Sequence, residues 1–388
     1  MSAEQAAGLR SRLVAHLRAR GDVRSERVAA AFECVPRHLF IPELAPEEVY
    51  TDRSIAIKLQ DGVPISSSSQ PAIMAEMLEM LAPREGDRVL EIGAGSGYNA
   101  ALLAELVGPS GFVETIDLDD DLVAAARSHL DAAGYRQVRT LCGDGAQGDP
   151  DGGSFDAVIA TVGVERIPPA WIAQLRLGGR LVAPLTIRSM QKVVGFERTA
   201  AGLESRAIVD AGFMMLRGPS AGSQTRTLAL GDASIALRVL SAHAGEVDTA
   251  AIARALRESS EVATPVRRLG LEEMWEGFSL WLALTDDASC RLTANGPSAT
   301  EGSVPNLLPG HESLYGTTAT FGLCTAGELV VLSRRGSYEV VLQRFGARAG
   351  VLARMQAAIA AWHAAGRPGN AELRITIGAD GTTHTSYQ

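Results

Sequence analysis

The decapeptide Val89-Leu90-Glu91-Ile92-Gly93-Ala94-Gly95-Ser96-Gly97-Tyr98 sets the tightest limit on what this chain can fold into. A short apolar run ends in three glycines at alternate positions, and a helical pattern over Tyr98–Val107 begins at once. Short apolar runs bounded by turn residues read as buried strands, and a strand that passes through a glycine turn into a helix opens a parallel βαβ unit. Glycine accepts positive φ and lets a ligand approach the backbone closely. The free amides at the start of a helix attract anions. The spacing departs from the dinucleotide-binding GxGxxG pattern, because the third glycine comes one position early.

The alternation continues downstream. Strand-like runs at Phe112–Ile116, Val138–Cys142, Phe155–Ala160 and Arg180–Leu185 are interleaved with helical runs at Leu122–Ala133 and Pro169–Leu175. This predicts a doubly wound α/β domain with helices on both faces of a parallel sheet. Upstream, residues 3–34 carry helical periodicity that Pro36 and Pro42 bring to an end. A serine-rich stretch, Pro64–Pro71, leads into a helix over Ala72–Leu81, with Pro71 suited to its first turn.

Composition places bounds on the rest. The 388 residues predict two domains at about 100–200 residues each. Near residue 217 the pattern changes, and Gly218–Ser223 reads as a linker. Beyond it, strand-like runs (Ile235–Val239, Phe278–Leu284, Leu329–Ser333, Tyr338–Gln343, Leu373–Ile377) mix with helical runs (Thr249–Ser259, Ala347–Ala365). The expectation is therefore an α/β domain over residues 1–217 and a smaller α+β domain over 227–388. Acidic residues outnumber basic ones, 45 to 36, for a net charge of −9, which disfavours nucleic acid as a partner. No apolar run is long enough to span a membrane, and the N-terminus lacks a signal-peptide core, so a cytoplasmic location is expected. Cys34, Cys142, Cys290 and Cys324 form no CxxC pair, and the seven histidines form no HxxxH. Disulfide and metal chemistry are disfavoured accordingly.

Asp117 closes the second strand, 20 residues after Gly97. At the carboxyl edge of a parallel sheet, a carboxylate there can accept both hydroxyls of a ribose. Asp144 and Gly145, in Gly143-Asp144-Gly145, close the third strand, where a side chain can read an adenine edge. Three successive strand ends thus carry ligand-facing residues along the rim where open sheets bind ligands.

The set LEIGAGSGY, the acid at the second strand end and GDG resembles the S-adenosylmethionine site of class I methyltransferases. VPRHLF, Tyr50-Thr51-Asp52-Arg53, ISSSSQP, Phe155-Asp156 and QLRLGGRLVAPL narrow the resemblance to the protein-L-isoaspartate O-methyltransferase family. These motifs follow the family's order over residues ~30–217. The resemblance implies S-adenosylmethionine as cofactor and S-adenosylhomocysteine as product. It implies cofactor contacts from Ser66, Ser67, Ser68, Ser69, Met74, Glu91, Gly93, Gly95, Gly97, Asp117, Leu118, Asp144 and Gly145. It also implies that Ser69, in Ser69-Gln70-Pro71, sits over the cofactor beside the acceptor carboxylate, with Gln70 facing the substrate. Four consecutive serines replace the family's more varied run. The alternative role for them is a turn and a helix N-cap, where serine is favoured.

The minimal repair enzyme has no counterpart to residues ~227–388. An extension of this kind resembles a branch of the family associated with ribosomally made, modified peptides of lanthipeptide, lasso or graspetide type. That resemblance implies methylation of an aspartate side chain in a constrained peptide, followed by aspartimide formation, with the extension holding the peptide. Trp275, Trp281 and Arg334, with Phe278, Tyr338 and Arg335, are the contacts it would offer. The alternative for the aromatic residues is a core face, since they also fit strand alternation and helical spacing. An L-isoaspartyl repair enzyme with an accessory tail, and a non-catalytic peptide carrier that binds the cofactor, are the competing readings.

Overall fold

The computed structural model describes residues 3–60, 62–219, 224–266, 269–300, 304–307, 317–336, 339–346 and 350–388. Its first unit comprises Met1–Leu185, Lys192–Ala221 and Arg374–Thr385. Its second comprises Thr186–Gln191, Gly222–Leu373 and Ser386–Gln388. Within the expected linker Gly218–Ser223, residues 220–223 lie outside the described residues.

The periodicity over residues 3–34 resolves into two helices, Ala3–Arg20 and Glu26–Cys34. Gly21, at φ 84°, ends the first, and the Ser25 side chain caps the second by accepting a hydrogen bond from the Val28 amide at 3.2 Å. An antiparallel hairpin follows, β1 (Ile55–Gln60) and β2 (Val63–Ser68), and then the helix Pro71–Leu81. The serine run therefore enters a strand. The N-cap position belongs to Gln70, which makes no side-chain cap bond, so the turn-and-cap role for the serines is not what they do.

The main sheet takes β3 (Arg88–Ile92), β4 (Phe112–Asp117), β5 (Arg139–Cys142), β6 (Phe155–Ala160), β7 (Leu175–Ile187), β8 (Met190–Thr199) and β9 (Gly202–Asp210). Two C-terminal strands, Leu373–Gly378 and Thr383–Tyr387, complete it. From one edge to the other the order is Thr383–Tyr387, Leu373–Gly378, β9, β8, β7, β6, β3, β4, β5. β3 pairs in parallel with both β4 and β6, so the chain runs outward to β5 and then returns to the other side of β3. This reversal is the topological switch point where open α/β sheets bind ligands. Helix Tyr98–Val107 is buried nearly all round, as a helix without a polar face must be. Phe32 and Phe40 meet the Tyr98 ring edge-on, with centroids 6.3 and 5.6 Å away. Strand Leu373–Gly378 reaches β9 only because residue 202 is glycine: a Cβ there would lie 2.0 Å from the Ile377 carbonyl oxygen.

The second unit is built on an antiparallel sheet of β10 (Thr225–Leu230), β11 (Asp232–Leu240), β12 (Ser259–Ala263), β13 (Ser289–Asn295), β14 (Thr317–Thr325), β15 (Glu328–Arg335) and β16 (Glu339–Phe345). Their order is β10-β11-β13-β14-β15-β16-β12. Ala319, Phe321, Leu323, Leu332 and Leu342 pack on one face against helix Gly350–Ala364, through Val351, Met355, Ile359 and Trp362. The strand expected over Phe278–Leu284 is instead helical: a π turn, Met274–Phe278, runs into the α-helix Ser279–Thr285. Trp275, Phe278 and Leu282 all join the core, so the i, i+3, i+7 stripe wins over the alternating one. No helix among the described residues is long and apolar enough to cross a membrane.

Candidate active site

β3 ends at Ile92 and hands the chain to the glycine turn. Gly93 sits at φ 103°, and a Cβ on it would fall 2.5 Å from Thr161 Oγ1. Thr161, just past the end of β6, donates its hydroxyl to the Gly93 carbonyl at 2.8 Å and its amide to the Ile92 carbonyl at 2.9 Å. These two bonds clamp the entry to the turn. The Gly95 amide donates to Asp117 Oδ2 at 3.0 Å, and the Leu118 amide to Asp117 Oδ1 at 2.8 Å. Oδ1 also accepts from the Asp119 amide at 3.5 Å, so of the about four acceptor sites of an ionised carboxylate the capacity left on Asp117 is on Oδ2.

Beneath the turn, Glu91 is fully buried. Asn99 Nδ2 donates to its Oε1 at 2.7 Å and Thr115 Oγ1 to its Oε2 at 2.6 Å, which joins β3, β4 and the first turn of helix Tyr98–Val107. Burial pushes its pKa up to about 7, against the opposing pull of those two bonds. The structure thus places Glu91 under the turn, with both oxygens engaged by the protein.

The neighbouring strand ends complete the rim. Asp144 caps the short turn Gly145–Gln147, its Oδ1 accepting from the Ala146 amide at 3.1 Å, and the Gly145 carbonyl accepts from Trp171 Nε1 at 2.8 Å. Because β3, β4 and β5 are adjacent and parallel, the turn Gly93–Gly97, the pair Asp117–Leu118 and the pair Asp144–Gly145 lie side by side. Asp119 braces this edge: Arg217 Nη2 reaches it at 2.7 Å and Lys58 Nζ at 2.9 Å. The Arg217 bond, with that from Lys58, holds the Asp119 carboxyl below its usual range.

The serine strand is laid against the glycine turn. A Cβ on Gly95 would lie 3.4 Å from the Ser67 carbonyl oxygen and 3.9 Å from Ser66 Oγ. Ser68 is buried, and Ser69 and Gln70 are half-buried at the end of the strand. Two residues to which sequence reasoning gave no role hold this end in place. Asp52 accepts from Gln70 Nε2 at 3.0 Å and from the Ala72 amide at 2.9 Å, which caps the helix from a distance. The fully buried Arg37 donates Nη2 to the Ser69 carbonyl at 3.0 Å and to Ser68 Oγ at 3.5 Å, and it stacks over Tyr98 at 5.4 Å. Both lie inside the motifs VPRHLF and Tyr50-Thr51-Asp52-Arg53, but their bonds span 16 to 32 residues of sequence and leave no local signature. Met74 packs into the core below the helix start.

The expected contacts in the second unit have other surroundings. Trp275 is 8% exposed, packs edge-on against Phe321 with centroids 5.8 Å apart, and carries Arg291 over its ring at 5.6 Å. Trp281 is half-buried against Tyr387, centroids 5.5 Å apart. Arg334 is exposed on β15, Arg335 pairs with Glu261 and Glu339, and Tyr338 lies outside the described residues.

Residues 9–218, more than half of the chain, match the family model described as protein-L-isoaspartate(D-aspartate) O-methyltransferase (PCMT). The protein-L-isoaspartate O-methyltransferase of Methanopyrus kandleri is 42% identical over 194 residues, covering 50% of this chain and 84% of that one. The Thermotoga maritima protein of the same name is 34% identical over 172 residues, covering 44% and 54%. A solved structure also named protein-L-isoaspartate O-methyltransferase superposes with a TM-score of 0.55 over 98% of this chain and 99% of its own, at 22% identity, a likeness of fold. The residues fit S-adenosylmethionine: a turn that only glycine can form, an acid with unused acceptor capacity at the second strand end, and a polar third strand end. When bound, that cofactor supplies an electrophilic methyl group on a sulfonium. The family match, together with a site assembled at the switch point of the sheet, places this chain in the protein-L-isoaspartate(D-aspartate) O-methyltransferase family as an S-adenosylmethionine-dependent carboxyl O-methyltransferase.

Proposed function

We propose that the enzyme methylates the α-carboxylate of L-isoaspartyl residues in polypeptides. The observation that carries this reading is the placement of the Ser66–Gln70 segment. It lies along Gly95 of the cofactor turn and is fixed at its far end by Arg37 and Asp52. The acceptor carboxylate is ionised near neutral pH, so the transfer needs no general base. The protein's part is alignment and replacement of the carboxylate's water shell. Ser69 orients the acceptor oxygen, with its backbone held by Arg37. Methylation turns the carboxylate into an ester, which the following backbone amide attacks with loss of methanol to give a succinimide. Hydrolysis of that ring returns part of the material as normal aspartate.

The competing reading, aspartate methylation in a constrained ribosomally made peptide, drew its support from the extension beyond residue 227. A fold of nearly the same extent occurs in a solved chain named protein-L-isoaspartate O-methyltransferase, so the extension does not favour tailoring over repair. Paired linear peptides, with isoaspartate or aspartate at one position, separate the two. Mass spectrometry should show methyl gain and methanol loss for the isoaspartyl peptide alone. If both linear peptides stay untouched while cofactor binds, the repair reading fails.

A further inference from the structure

One row of residues crosses four strands of the second unit's sheet. The register pairs Thr227 with Arg238, Arg238 with Arg291, and Arg291 with Phe321. Residues opposite one another on antiparallel strands share a face, so the two arginines stand side by side. Like charges in that position repel. Both side chains are half-buried, which adds a desolvation cost. Among the described residues no carboxylate lies within ion-pair distance of either guanidinium, and the buried Nε of Arg291 has no hydrogen-bond partner. Burial and the neighbouring Arg238 push the Arg291 pKa down to about 10, which still leaves it charged at neutral pH.

The surroundings form a seat. Trp275 covers Arg291 from the π turn Met274–Phe278, and such turns recur at functional sites. The adjacent row on the same face, Ala229, Ala236, Thr293 and Ala319, carries only small side chains. Two uncompensated cations on a chain of net charge −9 are complementary to carboxylates, which guanidinium forks accept in pairs.

We propose that Arg238 and Arg291, backed by Trp275, form an anion seat that holds an acidic segment of the acceptor polypeptide. This rests on the reading that the substrate is a polypeptide, and it extends that reading to a preference for substrates that carry an aspartate- and glutamate-rich segment.

The test uses the full-length protein and a fluorescein-labelled peptide of alternating aspartate and glycine, followed by fluorescence anisotropy. The control is the same peptide with asparagine for aspartate. The aspartate peptide should bind in a salt-sensitive manner, and R238Q/R291Q should weaken it roughly tenfold or more. R238K/R291K should retain part of the affinity. Because the Gln pair removes a like-charge contact, its melting temperature should hold or rise. Equal affinity in wild type and R238Q/R291Q, or equal binding of the asparagine peptide, overturns the proposal. So does a lowered melting temperature in R238Q/R291Q, which would mark the arginines as structural. No methyl transfer is involved, so failure here leaves the isoaspartyl reading standing. Intact binding without methylation of isoaspartyl peptides defeats that reading alone.

Discussion

The Gly95 amide donates a hydrogen bond to Asp117 Oδ2 at 3.0 Å, tying the middle of the glycine turn to the end of the next strand. Asp117 thereby fixes the turn; we propose that its remaining acceptor capacity takes the ribose of the cofactor.

Asp117→Asn halves the acceptor capacity while keeping the shape. Each hydrogen bond to a charged group contributes about 1.5–3 kcal/mol, so the variant should bind S-adenosylmethionine on the order of 100-fold more weakly. Isothermal titration calorimetry checks this. Affinity unchanged within error would remove Asp117 from the site.

Gly93→Ala places a methyl 2.5 Å from Thr161 Oγ1 at a φ that side chains avoid. Strain of this kind costs about 1–3 kcal/mol, so the melting temperature should fall and cofactor affinity with it. Thr161→Ser keeps the hydroxyl clamp and should leave both unchanged.

Glu91 predicts a pH dependence of stability. Its folded pKa of about 7 lies above the unfolded value, so the folded state holds the proton more tightly. Its contribution is fully present below about pH 4.5 and is lost as pH rises through 7. Glu91→Gln cannot ionise. Relative to wild type it should gain stability between pH 5 and pH 8, on the order of 2–3 kcal/mol at most. Urea midpoints of both proteins at the two pH values measure the difference, and parallel profiles would refute it.

Arg37 and Ser69 should act on turnover rather than on cofactor binding. Ser69→Ala should leave cofactor affinity alone and lower kcat roughly tenfold or more, and unchanged transfer would end its assignment. Arg37→Met deletes a buried charge with two unpaired nitrogens, Nε and Nη1. Replacing a buried, poorly paired charge by an apolar side chain is often close to neutral for stability. Lower kcat at near-normal melting temperature would mark Arg37 as a positioning residue, whereas a collapse in stability would mark it as structural.

The parts of this fold legible from sequence are those with a local signature. Strand β3, the glycine turn and the following helix are contiguous, and Asp117 and Asp144 each close a strand whose apolar run is visible by itself. Pairing between distant segments was not legible. Strand Leu373–Gly378 carries an alternating pattern, but nothing in it reveals that it joins β9 in the first unit's sheet. The Phe278–Leu284 run was ambiguous because a short, wholly apolar segment satisfies both periods, and only contact with Phe321 and Trp362 selects the helix. The same limit hid Asp52 and Arg37, whose work is to bond backbone atoms many residues away.

The most direct test of the central claim is mass spectrometry of a linear isoaspartyl peptide incubated with S-adenosylmethionine and either wild-type enzyme or Asp117→Asn, beside the matched aspartyl peptide. The expected result is methyl gain, then loss of methanol, for the isoaspartyl peptide with wild-type enzyme, little with the variant, and none for the aspartyl peptide. Equal methylation of both peptides, or full activity in Asp117→Asn, would contradict it.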